Sequence, residues 1–331
     1  MSTLNIGWVG CGTHANEMLL PQIGRFDARI AGLCDVDEAR LNATARRFGV
    51  AEKDTTRDWQ ALLARDDLHG IAVAAGPAIH RDIARAAIAR GLPVFIEKPP
   101  APTAREAQAL ADDAERAGVP VMVGFMKRYS TANRIAANVI HAEGFGTPAS
   151  FLGQYMTAPT YFSKDVDYTG FYLHHCVHYF DLVPFLMGDV AEISSRRHEI
   201  EPGKLLLHVD FRFVSGGIGT LVVGTHQSRG TPMEWWQVMA DHQRVEVRNV
   251  HEVRHYRNPP FKFGKPEASL VDGVDTLVWE PNWTAAANED HKGYYAIIAD
   301  FLALLRGDKV RVPTIADGAR AMALMEKALG L

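Results

Sequence analysis

The sequence predicts an α/β protein of two domains. Residues 1–124 read as a doubly wound parallel sheet, and residues 125–331 as an α+β domain with a large, mostly antiparallel sheet. Three observations carry this reading. Short apolar runs alternate with amphipathic stretches through the first part, as strands joined by crossover helices do. A glycine-rich turn, GCGTHA, follows the first of those runs. Beyond residue 124 the pattern changes to longer alternating runs separated by turn signals such as SGG and ADHQ.

Taken in order, LNIGWVG is a short buried strand and GCGTHANEMLLPQI a glycine turn opening a helix. RIAGLCD is a second strand, followed by the helix VDEARLNATARRFG. HGIAVAAG, PVFIE and VPVMVGF are further strands. The alanine-rich stretches AIHRDIARAAIARG and TAREAQALADDAERAG lie between them, each closed by the glycine that a helix C-terminus favours. In the second part STANRIAANVIHAEG reads as a helix and ASFLGQYM as a strand leading toward HHCVHYFD. The runs GKLLLHVDFRFV, GIGTLVVGTHQ, EWWQVMA and RVEVRNV follow as strands. Trp235 and Trp236, adjacent in one strand, must face opposite ways.

Bulk properties narrow the function classes. A formal net charge of −4 supplies no basic field for nucleic acid or an anionic membrane. No apolar run approaches the ~20 residues that span a bilayer. The beginning MSTLNIGWVGCG has no basic segment followed by an apolar one, so no signal peptide is expected. Three cysteines, odd in number and outside any metal-finger spacing, fit a reducing cytoplasm.

Ligands of a doubly wound sheet bind at the carboxyl ends of its strands. That rule selects Gly10–Ala15, Asp35, Gly76–His80 and Glu97–Pro99. Gly10, Gly12, Thr13, His14 and Ala15 fit the dinucleotide fingerprint of a Rossmann domain. Gly10 permits the tight turn, Gly12 lets backbone approach a pyrophosphate, and Ala15 keeps the helix close to the sheet. Asp35 ends the second strand, where a carboxylate accepts hydrogen bonds from a ribose diol and repels a 2′-phosphate. The expected cofactor is therefore NAD. Arg40, Arg46 and Arg47 nearby keep NADP open, and Asp35 has an alternative use as an N-cap. Lys98, at a strand's carboxyl end beside a bound nicotinamide, could bond both the cofactor amide and a substrate hydroxyl, or be an ordinary surface lysine after a strand.

Glu97-Lys98-Pro99 resembles the EKP signature of the glucose–fructose oxidoreductase/inositol dehydrogenase (Gfo/Idh/MocA) family. The resemblance runs through nearly the whole chain. It takes in the glycine turn, Asp35, Pro77 and His80, the GFMKRY segment with Arg128, GFYLHHCVHYFDL, and the closing GYYAIIADFLALLRGDK…DGARAMALMEKAL. It implies a hydride transfer between nicotinamide and a secondary alcohol of a sugar, cyclitol or sugar derivative. Pro77, His80, Glu97 and Lys98 would join the cofactor site. It also implies a second domain whose open sheet makes a homodimer or homotetramer. Relatives that use retained NAD in redox-neutral glycoside cleavage, or that have become NAD-binding regulators, supply the alternative functions.

HHCVHYFD admits three readings: a metal site, an acid/base centre, or a polar seam in a core. At 100° per residue His174, His178 and Asp181 share one helix face, while His175 and Cys176 point elsewhere and read as packing residues. The i,i+4 histidine pair has zincin spacing, but no Glu follows the first His, and the resembled family works without metal. No metal is therefore expected. The resemblance makes His178 the proton-transferring residue, with Lys98 holding the same oxygen. Histidine suits that role because its ordinary pKa lies near neutrality. His174 stands where the family usually carries an aspartate, which permits an anionic substrate that a carboxylate would repel. Asp181 is expected to orient His178 or a backbone group. Arg128, Tyr155 and Tyr161 are candidate substrate contacts, with Tyr168 a further aromatic in the approach, and each could equally be structural.

Overall fold

The computed structural model describes residues 3–158, 166–227, 233–257, 276–281 and 291–331. Short, wholly apolar runs can only be strands covered on both faces, and the first part of the chain behaves so. Strands β1 (Leu4–Val9), β2 (Ala28–Cys34), β3 (Thr55–Thr56), β4 (Gly70–Val73), β5 (Val94–Ile96) and β6 (Val121–Val123) form one sheet in the order β3-β2-β1-β4-β5-β6. Every pairing in it is parallel. Every residue of β4, β5 and β6 is buried.

The helices between these strands obey their sequence signals. Helix Glu38–Phe48 ends at Gly49 with φ 68°, and helix Ala104–Ala117 at Gly118 with φ 66°. Thr103 is the N-cap of the second: the Glu106 N–H donates to the Thr103 hydroxyl at 3.2 Å, and that hydroxyl donates to the Glu106 carboxylate at 2.9 Å.

The chain divides into two compact units, Met1–Met126 with Gly293–Ala323, and Lys127–Lys292 with Leu324–Leu331. A single cut after residue 124 does not describe this, because the chain returns to the first unit at Gly293. The return has a packing cause. Helix Tyr294–Leu305 buries Ile297, Ile298, Phe301 and Leu302. Phe301 meets Phe95 of β5 with ring centroids 5.6 Å apart, and Tyr295 stacks on Phe26 at 4.8 Å. That apolar face needs the first sheet to cover it.

In the second unit the strands are β7 (Ser150–Met156), β8 (Val190–Glu199), β9 (Leu205–Phe213), β10 (Ile218–Gly224), β11 (Met233–Ala240), β12 (Gln243–Arg248), β13 (Glu252–Tyr256) and β14 (Thr276–Trp279). Among the described residues they order as β14-β13-β12-β11-β7-β10-β9-β8. All pairings are antiparallel except β7 with β10. The alternation of each strand sets its inner face. Phe151, Phe211, Val223, Trp236 and Val245 are buried, whereas Leu152, Ile218 and Met239 on the other face are 41%, 61% and 37% exposed. Helices Thr131–Ile140 and Val177–Met187 supply cover for the inner face. The Trp236 indole donates to the Asn133 side-chain oxygen at 3.1 Å, and Phe180 meets Phe211 at 6.4 Å. Trp235 and Trp236 do face opposite ways, with only Trp236 buried.

Candidate active site

The expected site residues fall into two sets, one on each unit. In the first unit the glycine turn is braced from three sides. The Trp8 indole N–H donates to the Gly10 carbonyl at 2.8 Å. The Asn16 amide donates to the carbonyls of Cys11 at 2.9 Å and Gly12 at 3.2 Å, and to Thr44 Oγ1 at 3.0 Å. Asp35 closes the third side: Oδ2 accepts the Cys11 N–H at 2.6 Å, and Oδ1 accepts the Asp37 N–H at 2.8 Å. The N-cap of the following helix is Asp37, which accepts the Arg40 N–H at 3.0 Å, so Asp35 is left to the strand end. Arg40 pairs with Asp37 at 3.1 Å and Arg47 with Glu17 at 2.6 Å.

The turn fits a dinucleotide. Gly10 has φ 101°, and a Cβ there would lie 2.2 Å from the Ala74 carbonyl oxygen, so only glycine is accommodated. A Cβ at Gly12 would meet nothing within 4 Å. Its backbone borders open space, with Thr13 and His14 exposed beside it and Ala15 buried against the sheet. Those exposed groups, the helix-opening amides and the Asp35 carboxylate are the donors and acceptor a pyrophosphate and a ribose require.

The end of β5 is tied to this turn. Glu97 is buried; its Oε1 lies 3.5 Å from His14 Nε2, and its Oε2 accepts the Lys98 N–H at 3.2 Å. Burial pushes the Glu97 carboxyl up, but the bond and charge of His14, with the charge of Lys98, outweigh it and hold the group below the usual carboxylate range. His14 also meets Tyr294 edge-on at 5.5 Å. Gly124 makes room for the carboxylate, since a Cβ there would stand 2.6 Å from Glu97 Oε1. Lys98 itself is half-buried, and the Lys98–Pro99 peptide is cis. Pro77, half-buried, begins helix Pro77–Ala89.

His80, expected beside the cofactor, braces the strand ends in this structure. It is 0% exposed, its Nε2 accepts the Ala75 N–H at 3.0 Å, and its Nδ1 bonds the Pro99 carbonyl at 2.8 Å. It joins the ends of β4 and β5 from beneath.

In the second unit the histidine segment is not a uniform α-helix. Tyr172–Cys176 forms a π-helical turn, in which the Val177 N–H reaches back to the Tyr172 carbonyl, and the α-helix Val177–Met187 comes next. The 100° spacing that placed three residues on one face fails across that turn. His174 is exposed while His178 and Asp181 are buried. π-Turns inside helices occur frequently at functional sites.

Asp181 is paired with Arg128. Arg128 Nε donates to Asp181 Oδ2 at 2.8 Å, Nη2 donates to Oδ1, and the guanidinium lies 4.8 Å over the Phe185 ring. Of the two uses open to Arg128, the structure displays the salt bridge, and Asp181 is its partner. A bidentate pair at this depth satisfies both planar groups at once.

Tyr155 is half-buried, and its hydroxyl bonds His175 Nδ1 at 2.7 Å with the two rings stacked at 5.6 Å. His175, read as a packing residue, is therefore held by a specific polar bond as well. Tyr168 is buried, bonds Glu199, and accepts the Gly203 N–H at 3.0 Å. Tyr161 lies outside the described residues. Among the described residues no group of three or more His, Cys, Asp and Glu side chains is gathered as a metal ion would need.

Sequence reasoning missed one polar pair beside this helix. Lys127 Nζ bonds both oxygens of Glu234, at 2.6 and 2.8 Å, and stands 5.0 Å over the Tyr179 ring. No local pattern joins two residues more than a hundred positions apart. Alternation places Glu234 at the start of a strand, yet gives no sign of its partner.

The family model described as an oxidoreductase family with an NAD-binding Rossmann fold, GFO_IDH_MocA, matches residues 4–125. The chain thus resembles the Gfo/Idh/MocA oxidoreductases over its dinucleotide fold. It is 28% identical over 319 residues to the D-apiose dehydrogenase of Paraburkholderia graminis, covering 81% of this chain and 84% of that protein. It is 33% identical over 138 residues to the D-xylose 1-dehydrogenase (NADP(+)) 2 of Haloferax volcanii, which is 42% of this chain and 41% of that relative. A levoglucosan dehydrogenase solved with NADH and levoglucosan shares the fold with a TM-score of 0.82 at 18% identity, over 99% of this chain and 96% of that one. The part of the chain that the family model matches is the dinucleotide fold of the first unit.

Proposed function

We propose that this protein is an NAD(P)-dependent dehydrogenase that oxidises a secondary alcohol of a sugar, cyclitol or sugar derivative, or reduces the corresponding carbonyl. The observation that carries the proposal is the tie, through Glu97 and His14, between a dinucleotide-fitting glycine turn and Lys98. NAD is the expected cofactor because Asp35 ends β2 and neighbouring Arg40 and Arg47 are paired with carboxylates. The NADP named for the Haloferax relative keeps that cofactor a second candidate. The bound dinucleotide supplies the hydride acceptor.

The chain's own residues bind, orient and move a proton. Gly10, Gly12, Thr13, His14 and Ala15 cradle the pyrophosphate, Asp35 takes the ribose diol, and Pro77 and Glu97 shape the wall. Lys98 holds the substrate oxygen, and His178 takes its proton or returns it. His174 meets a hydroxyl or carboxylate of the substrate, with Tyr155 on the approach. These roles are supported by the family resemblance at the matched positions. Sugars are supported as substrates by the relatives, which are named for apiose, xylose and levoglucosan.

The second unit is proposed to carry substrate binding and assembly. The exposed face with Leu152, Ile218 and Met239 would join two copies into a homodimer or homotetramer, measurable by light scattering. A cytoplasmic location is proposed from the three reduced cysteines.

The deciding experiment screens neutral sugars, sugar acids and cyclitols for NAD and NADP reduction, with Lys98→Ala alongside. Reduction by a sugar or cyclitol that Lys98→Ala abolishes supports the proposal. Absence of hydride transfer from any substrate labelled at the carbinol carbon refutes it.

A further inference from the structure

We propose that His14 and Glu97 form a charge pair at the nicotinamide end of the cofactor site, and that this pair makes the preference for oxidised over reduced cofactor depend on pH. The inference rests on the reading of the first unit as a dinucleotide site.

The strand order places the pair. Asp35 follows β2 on one side of the glycine turn, whereas Glu97 follows β5 on the other, with β4 between β1 and β5. With the adenosine ribose at Asp35 and the pyrophosphate on the turn, the nicotinamide half falls over the ends of β4 and β5. His14 leaves the turn toward that side. Its Nε2 lies 3.5 Å from Glu97 Oε1, so the contact reaches from the turn after β1 past β4 to the end of β5.

The two partners differ in mobility and in charge. The Glu97 carboxylate is 5% exposed, accepts the Lys98 N–H at 3.2 Å, and sits over Gly124, where a Cβ would stand 2.6 Å from Oε1. The His14 side chain is 43% exposed and meets Tyr294 edge-on at 5.5 Å. A fixed anion thus faces a group that exchanges its proton with solvent. The pair is neutral with His14 protonated and carries one negative charge without that proton. A nicotinamide ring is cationic when oxidised and neutral when reduced. The negative state of the pair therefore favours NAD, and the neutral state withdraws that advantage.

The other groups around the pair are Tyr294, His80, Lys98 and Glu17. Burial pushes the Tyr294 hydroxyl far up, so it stays neutral. His80 accepts the Ala75 N–H at Nε2, which leaves its ring neutral as well. Glu17, on the helix that His14 opens, is paired with Arg47 at 2.6 Å. Lys98 can also respond to the charge of the ring, so the test has to isolate His14.

The test is calorimetric titration of the full-length protein with NAD and, separately, with NADH from about pH 6 to about pH 9. Buffers of different ionisation enthalpy count the protons exchanged. The dissociation constant of NAD relative to that of NADH should fall about tenfold as pH rises, with protons released on NAD binding and not on NADH binding. A ratio that stays level with pH overturns the proposal without any variant. His14→Gln keeps a donor for Glu97 but cannot titrate, and should remove most of the fall. Glu97→Gln removes the fixed charge and should weaken NAD about tenfold relative to NADH above neutrality, whereas a merely structural loss weakens both equally. A pH dependence in folded His14→Gln equal to the parent's assigns the effect to another group and refutes the pair. A protein that binds neither form of the dinucleotide refutes the reading of the first unit, and the inference falls with it.

Discussion

Gly10 and Gly12 are two positions apart, yet the structure assigns them different physical roles, and one methyl group at each separates folding from cofactor binding. At Gly10 an added Cβ faces the Ala74 carbonyl oxygen at 2.2 Å, and φ is 101°. A non-glycine residue in so unfavourable a conformation costs about 1–3 kcal/mol. The clash is with backbone, which has no rotamer to escape through. Gly10→Ala should therefore lose at least about 2 kcal/mol of stability in the first unit. At Gly12 the same methyl meets nothing within 4 Å, and φ is not in the left-handed region. Gly12→Ala should hold its stability or gain about 0.4–1 kcal/mol by restricting the unfolded chain. The methyl would, however, stand where a pyrophosphate must approach the backbone. Forcing one extra methyl into a fitted contact costs about 1–3 kcal/mol, which is roughly a 5- to 150-fold rise in the NAD dissociation constant. The assay is urea unfolding followed by circular dichroism, paired with calorimetric titration of NAD. A Gly12→Ala protein that binds NAD as tightly as the parent would refute the assignment of this turn to the dinucleotide.

Asp181→Asn should destabilise the second unit by about 3–5 kcal/mol, because it takes the charge partner from a largely buried guanidinium. Chemical denaturation measures this, and pairing Asp181→Leu with Arg128→Met should recover most of the loss. Burial pushes the thiols of Cys11 and Cys34 up to about 11 and about 12, so the folded state favours the neutral thiol. Their contribution to stability is full below the ordinary thiol value and is lost as pH rises through those folded values. At pH 8 the native protein should react with Ellman's reagent far more slowly than the denatured one. His174→Asp should depress kcat/KM for acidic sugars by about tenfold relative to neutral ones, and an unchanged ratio would remove His174 from the substrate.

The first unit is legible in the sequence because its signals are local. Apolar runs of strand length, glycines at helix ends and a fingerprint at a strand–helix junction each act over a few residues. Thr103 as an N-cap and Gly49 and Gly118 as helix stops are readable one by one. The exceptions are contacts across the sequence. Two-residue β3 is too short for any periodic signal. Asn16 bonds two carbonyls of the turn, yet polar residues follow such turns without doing so. His80 looks available at a strand end, while the structure turns it inward under Pro99. In the second unit β8 and β13 carry no clear strand signal because charged and polar residues interrupt their alternation, as SSRRHE and EVRHY show.

HHCVHYFD shows where helical reasoning has to stop. Projection at 100° per residue assumes that every amide bonds the carbonyl four residues back. Between Tyr172 and Val177 the bond spans five, which inserts a residue and rotates the helix before the turn relative to the helix after it. The consequence is a separation of duties within one short segment. His175, on the turn itself, is pinned by the Tyr155 hydroxyl, and Asp181, one turn into the α-helix, is pinned by Arg128. The two anchors sit on opposite sides of His178 along the chain, so the imidazole is carried by backbone that is fixed before and after it. The proton exchange proposed for His178 would gain from such fixation, because a misplacement of about 1 Å costs on the order of a hundredfold in rate. Tyr155→Phe, which removes only the hydroxyl, should therefore lower kcat with little change in stability, while KM for NAD stays put. Equal losses in kcat and in folding would show instead that the tyrosine supports the core and not the imidazole.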